Sequence, residues 1–161
     1  MEKDTGLSMH CWVLVVKDHV IGDEVIPARQ VAKVRVRERF WLVSKRVAAM
    51  KALKQGGLAV FYATGHEGRM FLGDGSFSEE PKPLTDELRF HVRGFPSEKL
   101  THFIRLDHAR LWDRPVPTEE VVERLSFIRK KDKWQFYFRG SLRKIPEEDF
   151  NLLKSIGSSQ P

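Results

Sequence analysis

The apolar positions of the chain switch between two periods. Cys11 to Val16 is an unbroken apolar run rich in β-branched residues, which predicts a strand buried on both faces. Asp18 to Pro27 is a turn-rich connection. Ala28 to Lys33 suits a short helix, whereas Val34 and Val36 alternate with Arg35 and Arg37 and predict an extended lead-in to Trp41. Ser44 is placed to cap a helix over 45–54, with Val47, Met50 and Leu53 on one stripe, and Gln55-Gly56-Gly57 ends it. Leu58 to Thr64 and Arg69 to Phe77 then read as the arms of an antiparallel hairpin about Gly65 to Gly68, the second arm carrying Gly73 and Gly75.

The second half is read the same way. Glu79 to Pro83 is a loop, Leu84 to Val92 a short helix with Thr85 as cap, and Arg93 to Ser97 a turn. Leu100 to Trp112 alternates over its whole length and predicts a long, bent strand that Pro115 and Pro117 break. Thr118 caps a short helix through Leu125. Ser126 to Arg129 and Trp134 to Arg139 are expected as strands joined by the charged turn Lys130 to Lys133. Pro146 opens a last helix whose first turn holds Glu147, Glu148 and Asp149. Its inward face is Phe150, Leu153 and Ile156, and Gly157 stops it. About six strands with short peripheral helices and no βαβ rhythm define an α+β mixed barrel. It occupies residues 10–156, between a flexible segment, 1–9, and a loose tail, 157–161.

A chain of 161 residues is sized for one such domain. No apolar run approaches the roughly 20 residues of a membrane span, and Met1 to Met9 lacks the apolar block of a signal peptide. The expectation is a cytoplasmic monomer with no membrane partner. The single cysteine, Cys11, has no partner for a disulfide and reads as a small core residue. The histidines are scattered without ligand spacing, so no metal site is expected. No phosphate loop, dinucleotide fingerprint, nucleophile elbow or zinc-protease motif occurs. The reading is therefore of a non-enzymatic chain without a cofactor.

Charge changes the picture more. The formal net charge is +6, and its distribution is uneven. Arg29, Lys33, Arg35, Arg37, Arg39, Lys45 and Arg46 share a stretch whose only acid is Glu38. A second cluster comprises Arg124, Arg129, Lys130, Lys131, Lys133, Arg139, Arg143 and Lys144. Clustered cations of this kind attract polyanions through counterion release, which points to a nucleic-acid partner. Trp41 stands among the first cluster, in Arg39-Phe40-Trp41-Leu42-Val43-Ser44. An indole between cations is what base stacking needs, although most of the chain's aromatic residues are expected in the core.

The order of segments adds a family reading. Cys-Trp-Val-Leu-Val-Val, Phe-Trp-Leu-Val-Ser, Gln-Gly-Gly-Leu-Ala-Val-Phe-Tyr, Gly-Arg-Met-Phe-Leu-Gly-Asp-Gly-Ser-Phe and the closing run from Leu125 to Phe150 follow one another as in the EVE domain. The chain resembles that family, a relative of YTH and PUA domains, over roughly residues 10–156. The resemblance implies a PUA-like barrel and a pocket for a flipped, modified base in DNA or RNA. It places Trp41 as one wall of an aromatic cage, Ser44 as a polar contact, and Tyr62, Leu72 and Gly73 along the floor; Trp12 is a further candidate for the pocket. It places Arg139, Gly140 and Ser141 beside the bound chain; the two basic clusters offer Arg37, Arg39, Lys45, Arg46, Lys133 and Arg143 as further contacts to the nucleic-acid backbone. Phe77 to Leu100 lacks the second cage tryptophan of YTH domains, which leaves Phe90 or Phe95 for the opposite wall. Leu42 also follows Trp41 where YTH domains have serine, so recognition of N6-methyladenine in RNA is not implied. Two other readings stay open: an RNA- or ribonucleoprotein-binding PUA-like module indifferent to modification, and an ASCH-like ribonuclease using His66, His102, His108 and Tyr62.

Overall fold

The computed structural model describes residues 10–43, 53–85 and 101–158. In chain order it contains β1 (Cys11–Lys17), β2 (His19–Ile21), β3 (Glu24–Ile26), α1 (Ala28–Glu38), β4 (Phe40–Val43), β5 (Leu58–Thr64), β6 (Met70–Phe77), β7 (Lys82–Pro83), β8 (His102–Pro117), α2 (Thr118–Val121), β9 (Leu142–Ile145) and α3 (Glu147–Ser158). A mixed sheet of six strands, ordered β4-β8-β6-β5-β1-β9, curls into a half-barrel, and β7 pairs on β8. The β2–β3 hairpin stands apart. β1 and β5 pair in parallel from Cys11 opposite Leu58 to Lys17 opposite Thr64; the other main pairings are antiparallel.

The continuous apolar run of β1 is explained by burial on both faces. Trp12, Leu14 and Val16 point to a core shared with α1, while Cys11, Val13 and Val15 point to a second core shared with α3. This places both layers around one central pair of strands.

The expected barrel with peripheral helices is present, and several local expectations are corrected. Helix α1 continues through the Val34–Arg37 alternation as far as Glu38. Ala28, Val31, Ala32, Arg35 and Val36 form one buried helical stripe, and packing along it outweighs the two-residue alternation. Arg39 closes the helix in the left-handed conformation at φ 58°, its amide bonded to the carbonyls of Arg35 and Val36. The other end is capped from a distance, by Asp18 Oδ1 accepting the Ala28 N–H at 2.8 Å.

The two strands expected at Ser126–Arg129 and Trp134–Arg139 are absent. Lys131–Phe138 is 3-10 helical, with a kink at Lys133. The Arg129 and Lys130 amides donate to Tyr137 Oη, and Lys131 Nζ donates to the carbonyls of Val122 and Leu125. Those bonds serve backbone groups that a sheet ladder would otherwise have to satisfy. The edge strand is instead β9, which the hydrophobic pattern did not signal because Leu142 and Ile145 face opposite cores.

Neither Pro115 nor Pro117 breaks β8. The β6–β8 register shifts between Phe71 and Gly73, so Pro115 sits where no ladder amide is needed. Thr118 does not cap α2; its hydroxyl bonds to the Arg69 carbonyl and Tyr62 Oη. Gly157 lies inside α3 rather than ending it, because a Cβ there would stand 2.0 Å from Trp112 Cε3. The helices expected at 45–54 and 84–92 fall largely outside the described residues.

Candidate nucleic-acid interface

Trp41 is carried by β4 and is fully buried. Phe61 of β5 stacks on it with ring centroids 4.8 Å apart and planes 9° from parallel. The Arg35 guanidinium, from the inward stripe of α1, lies 5.0 Å from the ring centroid. Trp12 and Leu72 belong to the same packed cluster as Trp41 and Phe61. The indole N–H groups of Trp12 and Trp41 and the Nε–H of Arg35 are buried and donate to no hydrogen-bond partner. Arg35 itself is only 1% exposed. Burial lowers its guanidinium to about 9. It also lowers the neighbouring His19 imidazole to about 4, with the Arg35 charge as a second cause.

Tyr62 follows Phe61 and therefore points to the opposite face of the sheet. It stacks on Phe138 at 4.0 Å, and its hydroxyl lies 2.6 Å from Thr118 Oγ1. Burial pushes its phenol above the ordinary range. The structure thus brings together Trp12, Trp41 and Leu72 and puts Tyr62 in the other core. Gly73 lies where β8 leaves no room for a side chain: a Cβ would be 2.0 Å from the Arg110 carbonyl oxygen. Ser141 is nearly buried, and its carbonyl accepts the Val15 N–H at 2.9 Å. Ser44, Lys45, Arg46 and Phe95 lie outside the described residues.

The cations divide into two groups. Arg29, Lys33 and Arg37 project from the outer side of α1, four residues apart, and line a groove with Pro27, Gln30, Val34 and Glu67. Arg39 leans back to donate to the Asp107 carbonyl at 3.1 Å. On the other side of the sheet, Arg139 lies 4.1 Å over the exposed ring of Phe136, and Arg143 lies 4.9 Å over Tyr137. Lys133 is exposed at the 3-10 kink. Lys131 is committed to capping carbonyls and is not available to a partner.

Sequence reasoning did not single out Phe61 or the inward aim of Arg35. The signal for Arg35 was present: it follows Val31 by four residues on a helical stripe. It was concealed because the stripe was cut short at Lys33. The groups considered for hydrolysis are not brought into hydrogen-bonding reach of one another: Tyr62 is on β5, His66 in the turn after it, and His102 and His108 six residues apart on β8. His66 is held by Asp18 at 2.8 Å, His102 bonds to Thr101, and His108 lies in the middle of β8. Hydrogen bonding to Asp18 raises the His66 pKa; for Asp18, burial acts upward, but bonds from His66 and Ala28 hold it below the usual range. Among the described residues no group of three or more His, Cys, Asp or Glu is arranged to hold a metal, and no helix is long and apolar enough to cross a membrane.

Comparison with known proteins adds four findings. The family model of the EVE domain matches residues 12–156. A UPF0310 protein of Pyrococcus abyssi is 30% identical over 130 residues, covering 77% of this chain and 90% of that protein. The fold is that of human THYN1, solved in complex with 5-methylcytosine-containing DNA, at a TM-score of 0.59 and 15% identity over 94% of this chain and 99% of that one. It is also that of the YTH domain of Zygosaccharomyces rouxii MRB1, solved with N6-methyladenosine RNA, at a TM-score of 0.54 and 13% identity over 92% and 88%. The PUA-like class expected from the sequence is therefore the class observed.

Proposed function

The chain belongs to the EVE domain family, and we propose that it is a non-catalytic nucleic-acid-binding module that reads a flipped, modified base. The observation that carries this reading is the Phe61–Trp41 stack with unpartnered donors around it, behind a helix whose outer face is cationic. Solved relatives of the same fold hold DNA or RNA with a methylated base, which supports the same class of ligand here.

Arg29, Lys33 and Arg37 attract the phosphate chain. One base leaves its stack at a cost of a few kcal/mol. Trp41 is the wall it meets, with Ser44 and Phe95 as the remaining proposed contacts. Because Trp41 is fully buried, the base gains its face only when Arg35 shifts. That shift gives up about 0.5–2 kcal/mol of cation–π attraction. Stacking of the base returns about 1–3 kcal/mol, so the exchange is close to balanced before edge contacts are counted. A methyl group adds about 1 kcal/mol through burial, which alone gives near-tenfold discrimination.

The test is an array of oligonucleotides with different modified bases, probed with wild type, Trp41→Ala and Trp41→Phe at two salt concentrations. Trp41→Ala is expected to lose the base-dependent part and keep the salt-dependent part; Trp41→Phe retains an intermediate preference. Wild-type base dependence in a folded Trp41→Ala refutes the cage. The exposed Phe136 ring beneath Arg139 favours a second reading, an RNA-binding module with no preference for modification. That reading requires equal affinity for modified and plain RNA.

A further inference from the structure

The cluster around Trp41 has a one-sided hydrogen-bonding character. Packed on the Trp41 ring or in its cluster, the unsatisfied Trp12 Nε1, Trp41 Nε1 and Arg35 Nε are all donors, and the neutral His19 imidazole beside Arg35 is the neighbouring group with an acceptor nitrogen. No carboxylate pairs with Arg35 among the described residues, and apart from the neighbouring His19 imidazole the packed cluster it meets is apolar. An arginine enclosed in this way with no paired carboxylate among the described residues is costly, since the cation–π contact with Trp41 offsets only part of its removal from water. The guanidinium is also a rigid fork, suited to two acceptors side by side.

We propose that Arg35 determines specificity: its guanidinium, with the two indole N–H groups, takes a base through two adjacent acceptors. This deepens, and rests on, the base-reading function proposed above. Among the common bases, cytosine presents O2 beside N3, and guanine presents O6 beside N7. Adenine and thymine alternate donor and acceptor along their edges, so each sets an N–H against a donor of this cluster. The site therefore selects cytosine or guanine, modified or plain, over adenine and thymine. An N6-methylated adenine is disfavoured for the same reason, because its remaining N–H still faces donors. The ring's own stacking on Trp41 is common to all bases and contributes nothing to this choice.

The experiment measures anisotropy of single-stranded oligonucleotides differing at one central base: cytosine, 5-methylcytosine, guanine, adenine, N6-methyladenine or thymine. Wild type, Arg35→Met and Arg35→Lys are compared at two salt concentrations, with melting followed in parallel. Wild type is expected to prefer the cytosine or guanine arm by roughly ten- to hundredfold, the arms showing which of the two is held. Arg35→Met brings all arms within about twofold, leaves the salt slope unchanged and melts no lower than wild type, because an uncompensated buried charge has been removed. Arg35→Lys, which keeps the charge and loses the fork, also loses most of the preference.

The inference is overturned if Arg35→Met retains the wild-type preference, or if wild type prefers adenine or thymine. It is also overturned if Arg35→Met melts well below wild type while Arg35→Lys keeps the full preference, which makes Arg35 structural. A Trp41-dependent preference for modified bases that ignores the base edge sinks this inference and leaves the reader standing. Salt-dependent binding with no base dependence in wild type sinks both.

Discussion

The alternation of β5 sets up a sharp contrast between two adjacent aromatic residues. Tyr62→Phe removes only the hydroxyl that lies 2.6 Å from Thr118 Oγ1. The Thr118 hydroxyl still donates to the Arg69 carbonyl, so no donor is left stranded, and the ring keeps its 4.0 Å stack on Phe138. The expected cost is the net value of one hydrogen bond, about 1 kcal/mol. Base-dependent binding is unchanged, because this side chain faces the core shared with α3. Phe61→Leu removes the ring stacked at 4.8 Å on Trp41. Loss of the aromatic pair and partial loss of packing together cost about 2 kcal/mol. Base-dependent affinity falls severalfold as Trp41 loses its backing. Urea denaturation gives the two stabilities, and oligonucleotide anisotropy under folded conditions gives the two affinities. A Tyr62→Phe protein that has lost base dependence at near-wild-type stability refutes the assignment of the site to the Trp41 face.

Three further outcomes follow from the same geometry. Gly157→Ala drives a methyl to within 2.0 Å of the Trp112 ring, so despite the better helix propensity of alanine it lowers stability by about 2 kcal/mol, measurable as a reduced melting temperature. His19 is held neutral by burial, at about 4 against an ordinary 6.5; stability is therefore complete above pH 6.5 and declines as pH falls from there towards 4, by at most about 3 kcal/mol. Urea titrations from pH 7 to pH 4, with His19→Gln flattening the decline, check it. Substituting Arg29, Lys33 and Arg37 together by glutamine lowers the slope of log affinity against log salt by about 2 and affects all bases alike; an unchanged slope removes the α1 face from the interface.

What the sequence determined by itself was whatever a short window of side chains decides. The unbroken run of β1 demanded a strand covered on both faces, the β5–β6 hairpin was delimited to within a residue, and the inward face of α3 was legible in Phe150 and Leu153. The cationic stretch and the Phe-Trp segment pointed to a nucleic-acid partner without fixing which groups meet it. Only the tertiary structure decided the fate of Val34–Arg37, since helix and strand periods both fit those residues and burial of Val31, Arg35 and Val36 against the sheet broke the tie. The same holds for 126–138, where Tyr137 Oη and Lys131 Nζ satisfy backbone groups from outside the local pattern. Trp41 was visible as a candidate from the start, with Trp12 and Leu72, but Phe61 and Arg35 beside it were not. Residues separated by the sheet order, Trp12, Arg35, Trp41 and Phe61, meet only when β1 pairs with β5 and α1 crosses over them. A binding site is a property of distances between such segments, and no local pattern encodes those distances; they follow from how the whole chain buries its apolar surface.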